Sequence, residues 1–581
     1  MLPHQQIEQK LQAAVRAVLP EADTAAVLVR PCPDPKFGDY QSNALMSLAK
    51  ARKLNPRQLA TDVLAKLDVA DWCEPVEIAG AGFLNFRLKP AALAAALQSA
   101  SRGEHLFFDK TSSPLTVVID FSSPNVAKAM HVGHIRSTIL GDCLARTLRL
   151  LGHRVITDNH IGDWGTQFGM LLLGWKQHLN PDALKADPIA EMERLYKLVS
   201  AASEQTETVR EAARQELVKL QSGDAENLKI WREMIALSEK QFDTIYARLG
   251  VKFDQTLGES FYNPRLKPLV DELVARGIAR ESEGALAIFF DDNPQLKDKP
   301  ALIRKRDGGF NYTTTDLATL AYRLETWHPD EIIYVTDGRQ QLHFQQVFTV
   351  FRLWQKASAK HQTPSTNLAH VWFGSILGED GKPFKTRSGE TVKLADLLDE
   401  AEERAFKIVS EKDPDRPEGR RREVARVVGL GAVKYADLLP NRQSDYVFSW
   451  DKMLALQGNT APYLQYAYAR IRSIFRKAEE TSHLPPPTSH LQMFAPEEII
   501  LAKHLLNFGL TLEAVAEEFR PNFLCNYLFD LAGKFTAFYE NCPVIKADAA
   551  VRASRLALCN LTARVLKQGL NALGIETLEQ M

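Results

Sequence analysis

Two histidines flank a Val-Gly pair at His131-Val132-Gly133-His134. The apolar run Leu115–Phe121 ahead of them has the length and β-branched content of a buried strand. A Ser-Ser-Pro-Asn loop connects the two. Directly after the histidines, Ile135, Ile139, Leu140, Leu144, Leu148 and Leu151 fall on one helical face, and Gly152 closes the pattern as a C′ residue. Val155-Ile156-Thr157 then restarts as a strand. The spacing predicts a βαβ unit whose first turn brings two imidazoles and a glycine to a helix N-terminus. Free N–H groups and a partial positive charge make such an end a place for phosphate. His131 and His134 would add side-chain donors, and Gly133, lacking a Cβ, would let a flat ring lie on the backbone. A bare H-x-G-H is equally compatible with capping or core histidines beside a tight turn. The strand, loop and helix around it favour phosphate chemistry.

Further chemistry-bearing residues lie downstream. In GFNYTTTDLATLAYRLE (309–325), Tyr312 and Asp316 are i and i+4, on one face if the helix begins at Tyr312. A carboxylate there can take two parallel N–H bonds from a guanidinium; a surface Asp beside a core Tyr is the alternative. Gln340 opens a later helix and could reach the same cleft, whereas His343 reads as a packing histidine. His160 and Trp164, in DNHIGDWGTQFG (158–169), follow a strand's carboxyl end, where open α/β sheets bind ligands. Residues 457–477 interleave Tyr463, Tyr466 and Tyr468 with Arg470, Arg472, Arg476 and Lys477. Basic groups neutralise phosphates and aromatic rings stack on bases, although Tyr466 and Ile474 have the spacing of core positions. An amphipathic helix with a solvated basic face is the rival. Near the N-terminus, Phe37, Tyr40 and Asn43 could meet an unpaired base or simply pack a loop.

The elements that must position these groups fill 581 residues, enough for three or four domains. A formal net charge of −1 means that nucleic acid would be met by local basic faces. No run approaches the ~18 apolar residues of a membrane span, and the polar N-terminus has no secretory core. Six cysteines lie far apart with no C-x-x-C, so neither a zinc site nor a disulfide framework is indicated, and a cytoplasmic location fits. Residues 1–108 read as a small α+β domain, with helices over 6–19, 56–67 and 90–100. A doubly wound domain spans 109–455 and is interrupted at about 178–265 by charged helices at 188–203, 207–220 and 225–249. The sheet is expected to resume at 285–290 and 301–304, with further strands at 331–335, 371–376 and 445–450 and helices at 423–439 and from 452. Residues 456–581 read as all-helical, with helices at 496–508, 510–518, 523–540 and 549–573.

SSPNVAKAMHVGHIRSTILGD resembles the HIGH-motif segment of class I aminoacyl-tRNA synthetases, in the form found in arginyl-tRNA synthetases. FGDYQSN (37–43), GAGFLNFRL (80–88) and the ending LGIETLEQM extend the resemblance over the whole chain. It implies a Rossmann-like catalytic domain with a helical insertion, a small tRNA-contacting N-terminal domain and a helical anticodon-binding domain. The implied reaction joins L-arginine to its cognate tRNA using ATP, with Mg²⁺ on the ATP, in a protein expected to be monomeric. Asp120, Ser123, Pro124 and Asn125 match the amino-acid turn, with Asp120 on the α-ammonium and Asn125 on the carboxylate side. Tyr312, Asp316, Gln340 and His134 would complete the arginine pocket. Pro124, Asn125, Val126, Ala127, Lys128, Ala129, Met130, His131, Val132, Gly133 and His134 form the expected ATP segment. Phe37, Tyr40, Asn43, Tyr463, Arg470, Arg472 and Arg476 are the expected tRNA contacts.

The second family signature, K-M-S-K-S, is missing; its place holds Pro383-Phe384-Lys385-Thr386-Arg387-Ser388-Gly389. A cation is needed there to meet charge developing on pyrophosphate. Lys385, Arg387 and Lys128 are the candidates. Two other functions compete. A tRNA-independent nucleotidylyltransferase shares the sheet and histidines but would not need the long helical C-terminal third. An RNA-binding protein without activity would not need the intact histidine pair.

Overall fold

The computed structural model describes residues 2–357, 366–384, 392–480, 491–493 and 495–581. The chain forms two compact units. One is Ser112–Leu454; the other joins Met1–Thr111 to Ala455–Met581.

The central unit is built on five parallel strands: β1 (Thr116–Asp120), β2 (Arg154–Asn159), β3 (Gln255–Thr256), β4 (Glu331–Tyr334) and β5 (Asn367–His370). Their order is β5-β4-β1-β2-β3. Val117, Val118 and Ile119 are all buried, the continuous apolar run of a strand covered on both faces. The chain steps outward from β1 to β2 and β3, then returns to the other side of β1 for β4. The order thus reverses at β1, and such a switch opens a crevice beyond the strands' carboxyl ends. Helix α1 (Val132–Leu150) follows β1. It ends as expected in a Schellman arrangement. Gly152, at φ +94°, donates to the Arg149 carbonyl (3.1 Å) and His153 donates to Leu148 (3.0 Å).

Helices α2 (Gln167–His178), α3 (Pro188–Gln205), α4 (Glu207–Gln221) and α5 (Ala225–Leu249) build the insertion. Gly169 lets α2 approach α4 closely, since a Cβ there would lie 2.3 Å from the Ala213 carbonyl oxygen. Helices α6 (Tyr312–Trp327) and α7 (Gln341–Ala357) flank β4 in sequence.

Several expectations are corrected. Ala285–Ile288 and Ala301–Arg304 do not resume the main sheet; with Arg280–Ser282 they form a separate antiparallel sheet. The strand expected at 371–376 lies at Asn367–His370. Val371 and Phe373 are still buried and donate to the Tyr334 (2.8 Å) and Thr336 (3.3 Å) carbonyls, but at Gly374 the backbone turns away, its N–H on the Arg442 carbonyl (2.9 Å). The strand at 445–450 shrinks to Tyr446–Val447, followed at once by a short helix, Trp450–Met453, rather than one from 452. Helix Leu394–Lys412 was not among the expected elements.

In the terminal unit, an antiparallel sheet (Arg30–Pro31, Tyr40–Ser42, Phe83–Phe86, Glu77–Ala79) packs with helices Pro3–Val18, Ala44–Arg52, Pro56–Leu64 and Pro90–Ser101. The C-terminal helices are α8 (Ala461–Glu480), Pro496–Leu505, Phe508–Glu518, Asn522–Asn541 and Ala549–Ala572. The chain's two ends are tied by the Arg564 guanidinium on the Ala100 carbonyl (2.9 Å) and by a Lys503–Asp39 ion pair (2.7 Å). Contrary to the sequence expectation, Pro496–Glu518 has the length and apolarity of a membrane span, but it is half buried in the protein and breaks at 506–507 into two helices.

Candidate active site

The turn after β1 contains three non-glycine residues in the left-handed region: Ser122 (φ 73°), Ser123 (φ 48°) and Ala127 (φ 60°). Such backbone persists only where its surroundings over-determine it. Here the Ser122 N–H donates to Ser137 Oγ (2.8 Å), the Ser123 N–H to Asn159 Oδ1 (3.1 Å), the Ala127 N–H to Ser238 Oγ (3.0 Å) and the Ala129 N–H to Glu193 Oε1 (2.8 Å). Tyr246 Oη sits between Ser122 Oγ (2.8 Å) and Asn159 Nδ2 (3.2 Å). Glu193 lies on α3; Ser238 and Tyr246 lie on α5. The inserted helices, expected to stand apart from the chemistry, therefore brace the turn. Period and charge reveal them as helices but not what they touch.

Within residues 124–134, the side chains of Pro124, Val126, Ala127, Met130 and Val132 are buried and serve as anchors. In the expected ATP segment, these five residues have only their backbone to offer a ligand. Exposure remains at Asn125, Lys128, His131 and Gly133, and in part at Ser123, Ala129 and His134. The Lys128 ammonium sits over the Tyr196 ring, 5.6 Å from its centroid.

His131 is the N-cap of α1. Its Nδ1 accepts the Gly133 N–H (3.0 Å), and His134 Nδ1 accepts the His131 N–H (3.1 Å). Because both Nδ1 atoms accept, each neutral ring carries its proton on Nε2. Burial, helped by the neighbouring His131, pushes the His134 pKa down to about 3. Burial also lowers that of His131, with Arg339 and Lys128 adding to the effect. The pair is thus two neutral imidazoles, 4.0 Å apart, each with one N–H to give. The need for glycine at 133 is met inside the protein: a Cβ there would stand 2.8 Å from the His131 ring.

The carboxyl ends of β1 and β2 carry Asp120 and Asp158, which are register partners. Between them lies Arg323 of α6, 0% exposed, with Nη2 2.5 Å from Asp120 and 2.8 Å from Asp158. Asp120 Oδ1 also accepts from Ser123 Oγ (3.1 Å). Helix α6 starts at Tyr312 with Asn311 as its cap, so Tyr312 and Asp316 share a face as the spacing requires. Tyr312 is 61% exposed. Asp316 Oδ2 is 2.5 Å from His343 Nε2, and the His343 ring meets Tyr312 edge-on at 4.7 Å. His343 thus belongs to the cluster rather than to general helix packing. Gln340 is exposed just ahead of α7.

Glu259 was not anticipated. Burial raises its pKa to about 7; His160 opposes the rise, while Asp316 and Asp163 add to it. It sits in a one-turn element whose sequence carries no periodic signal. His160 packs on Tyr262 (5.5 Å) and Trp164 on Trp231 (5.7 Å).

Lys385 and Arg387 lie outside the described residues. The chain that follows them returns to the histidine turn: the Val132 N–H donates to the Val392 carbonyl (2.9 Å) and the Leu394 N–H to the Met130 carbonyl (2.9 Å).

In the terminal unit, Phe37 is 49% exposed and Asn43 is exposed. Tyr40 is corrected: it is 1% exposed because strand Tyr40–Ser42 alternates and turns it into the core beside His4 (5.9 Å). On α8 the tyrosines exchange places relative to expectation, with Tyr466 52% exposed and Tyr468 buried; Ile474 is core as expected. Arg472 pairs with the Glu579 carboxylate (2.5 Å) and Arg476 donates to the Glu579 carbonyl (2.9 Å), so both hold the chain's own end. Arg470 lies over the Tyr539 ring (4.8 Å), and Tyr463 packs on Phe529 (5.7 Å).

A sheet that reverses at β1, with a histidine turn on the following helix, is the arrangement of class I aminoacyl-tRNA synthetases. Family models agree. Residues 96–450 match the class I (R) tRNA synthetase catalytic domain, 464–581 the DALR anticodon-binding domain and 5–88 the arginyl-tRNA synthetase N-terminal domain. The arginine–tRNA ligase of Chromobacterium violaceum is 46% identical over 100% of both chains, and that of Proteus mirabilis is 47% identical over 99% of both. The crystal structure of arginyl-tRNA synthetase from Plasmodium falciparum is similar at a TM-score of 0.81 with 30% identity, covering 100% of this chain and 99% of that one. The Thermus thermophilus enzyme gives 0.83 with 26% identity, covering 100% of both. The chain belongs to the arginyl-tRNA synthetase family, class I enzymes that join arginine to tRNA at the expense of ATP.

Proposed function

We propose that the arginine–tRNA ligase activity of this chain runs through the turn at the switch point, with the two histidine Nε2–H groups and the N-terminus of α1 meeting the ATP phosphates. The observation that carries this reading is the pair of neutral imidazoles whose Nδ1 atoms are taken by backbone N–H groups. Each Nε2–H is left to donate to a phosphate oxygen, and the positive charge that pyrophosphate needs comes from neighbouring cations. Asp120 takes the α-ammonium of arginine, Ser123 and Asn125 flank its carboxylate, and Tyr312, Asp316 and Gln340 hold the guanidinium. The arginine carboxylate oxygen attacks the α-phosphorus of ATP. A new O–P bond forms, the bond to the bridging oxygen breaks, and pyrophosphate leaves with its electron pair. A hydroxyl at the tRNA 3′ end then attacks the adenylate carbonyl and AMP leaves. No protein nucleophile is required; positioning and charge stabilisation do the work.

Lys128, Lys385 and Arg387 supply the cations for pyrophosphate. The donors at the turn suit phosphate oxygens rather than a metal, so Mg²⁺ arrives on ATP, largely water-liganded. We assign residues 1–108 and 456–581 to tRNA, with Phe37, Asn43, Tyr463 and Arg470 as contacts, and 109–455 to catalysis. Arg472 and Arg476 reach RNA only if their bonds to Glu579 open. The protein acts as a monomer in the cytoplasm, consistent with six free cysteines. The test is arginine-dependent ATP–pyrophosphate exchange with and without cognate tRNA. Strong exchange with tRNA and little without it is expected, because bound RNA shifts the site toward its competent state. Exchange with another amino acid, and none with arginine, overturns the reading.

A further inference from the structure

Arg323 is a buried cation beside the proposed site, and the mechanism above gives it no task. It lies three turns along α6 from Tyr312, on the face that also carries Asp316. Its guanidinium is fully buried and spans the ends of two adjacent strands. Nη2 contacts both Asp120 (2.5 Å) and Asp158 (2.8 Å), and Nε donates to Asp158 (3.2 Å). Tyr334, the register partner of Asp120 on β4, places its ring 5.3 Å from the guanidinium carbon. Arg323 therefore touches residues at the carboxyl ends of β1, β2 and β4, the three strands around the switch point.

Two features suggest more than a structural pin. First, the pinned group is Asp120, whose other oxygen accepts from Ser123 Oγ, and Ser123 is one of the left-handed residues of the turn. The orientation of Asp120 is thereby passed into the loop that carries the histidines. Second, two carboxylates share one guanidinium. With Asp158 taking two of its contacts, Arg323 leaves part of the charge on Asp120 uncompensated, which favours an arriving cation.

We propose that Arg323 is a positioning residue for the amino acid: anchored by Asp158, it fixes Asp120 to receive the α-ammonium of arginine without neutralising it. This rests on the reading of Asp120 as the ammonium site. Arg323 touches no substrate itself. Lysine cannot replace it, because a single ammonium lacks the planar fork that spans two carboxylates.

The test measures, in exchange with tRNA present, the KM for arginine, the KM for ATP and the inhibition constant of desamino-arginine, the guanidino acid lacking the α-amino group. Arg323→Lys should raise the arginine KM about tenfold or more, because a charge-assisted contact is misplaced. The ATP KM and the desamino-arginine constant should stay within about twofold, since neither ligand uses the ammonium site. A merely structural role would lower the active fraction or raise all three constants together, and that result overturns the proposal.

If Arg323→Lys does not fold, Asp158→Asn decides. Its shape and one acceptor oxygen are retained, but the guanidinium charge is then balanced by the Asp120 carboxylate alone, and the arginine KM should rise about threefold or more while desamino-arginine is unaffected. No change in that variant overturns the proposal. Asp120→Asn separates the two layers. If it fails to discriminate arginine from desamino-arginine, the reading of Asp120 falls and the proposal with it. If it discriminates while Arg323→Lys and Asp158→Asn do not, the proposal alone falls.

Discussion

The turn at 122–134 and helix α8 both offer, in sequence, polar side chains that could meet a ligand: two histidines in the one, arginines among tyrosines in the other. In three dimensions they are opposites. In the turn, Ser137, Asn159, Ser238 and Glu193 accept backbone N–H groups and Tyr246 braces the Ser122 and Asn159 side chains, while the histidine side chains keep their Nε2–H groups for something else. On α8 two arginines are themselves the internal ligands, closing on Glu579 at the chain's end. A polar side chain meets a substrate with the atoms its internal contacts leave over: the histidines spend Nδ1 on the backbone and keep Nε2–H, whereas Arg472 and Arg476 spend guanidinium donors on Glu579. Residue type does not distinguish the cases; the partner does.

The sharpest way to break this contrast is His134→Ala. It removes one preorganised donor and should slow adenylate formation by about 10²–10³-fold, with the far-UV circular dichroism unchanged. Near-normal exchange would mean that the turn is not where ATP reacts. Asp316→Asn comes next. Losing a charge-assisted bond worth roughly 1.5–3 kcal/mol should raise the arginine KM about ten- to a hundredfold while the ATP KM hardly moves. Equal shifts in both constants would take Asp316 out of the arginine pocket.

Tyr246→Phe sharpens the contrast from the side of the brace. Ser122 and Asn159 each lose a buried partner, at a cost of about 1–3 kcal/mol, readable as a lower urea midpoint. Turnover should fall with it because the left-handed turn loosens. A destabilised variant with unchanged kcat would show that the brace serves folding alone.

Glu259 adds a pH dependence. With its pKa at about 7, it is ionised above that pH and neutral below. Its charge acts on Asp316, the residue proposed to hold the guanidinium, so the arginine KM should rise as pH falls through about 7, and Glu259→Gln should flatten that dependence while raising the KM at high pH. The smallest effect is expected on α8. Arg472→Ala breaks a partly exposed pair worth at most about 1 kcal/mol, and aminoacylation at low tRNA should change only slightly. A large, salt-dependent loss would return Arg472 to the RNA-facing set.

How much of this was legible in the sequence follows the same division. The strand Thr116–Asp120, α1 with its Gly152 cap and the start of α6 at Tyr312 were readable because local periodicity and capping fix them. The places of the histidines and Asp316 at the starts of α1 and α6 were readable for the same reason, whereas Asp120 was singled out through the family resemblance. Arg323 was not, because a buried arginine inside an amphipathic helix looks like a surface one until its two aspartates are seen across the sheet. Ser238, Tyr246 and Glu193 escaped because the insertion meets the turn through contacts more than sixty residues apart in sequence. Tyr40 and Tyr466 were misplaced because a tyrosine suits either a core or a surface, and a one-residue change of face decides which.

The central claim is that the turn presents two neutral imidazoles, each donating from Nε2. ¹⁵N-histidine labelling of the full chain, with His131→Gln and His134→Gln used to assign the signals, reads tautomer and charge directly. Between pH about 8 and about 5.5, where an ordinary histidine takes up its proton, His134 should remain the neutral Nε2–H form, its pKa held at about 3 by burial. His131 should show the same tautomer and a midpoint below 6.5. A His134 signal that titrates near 6.5, or a proton found on Nδ1 of either ring, would contradict the account.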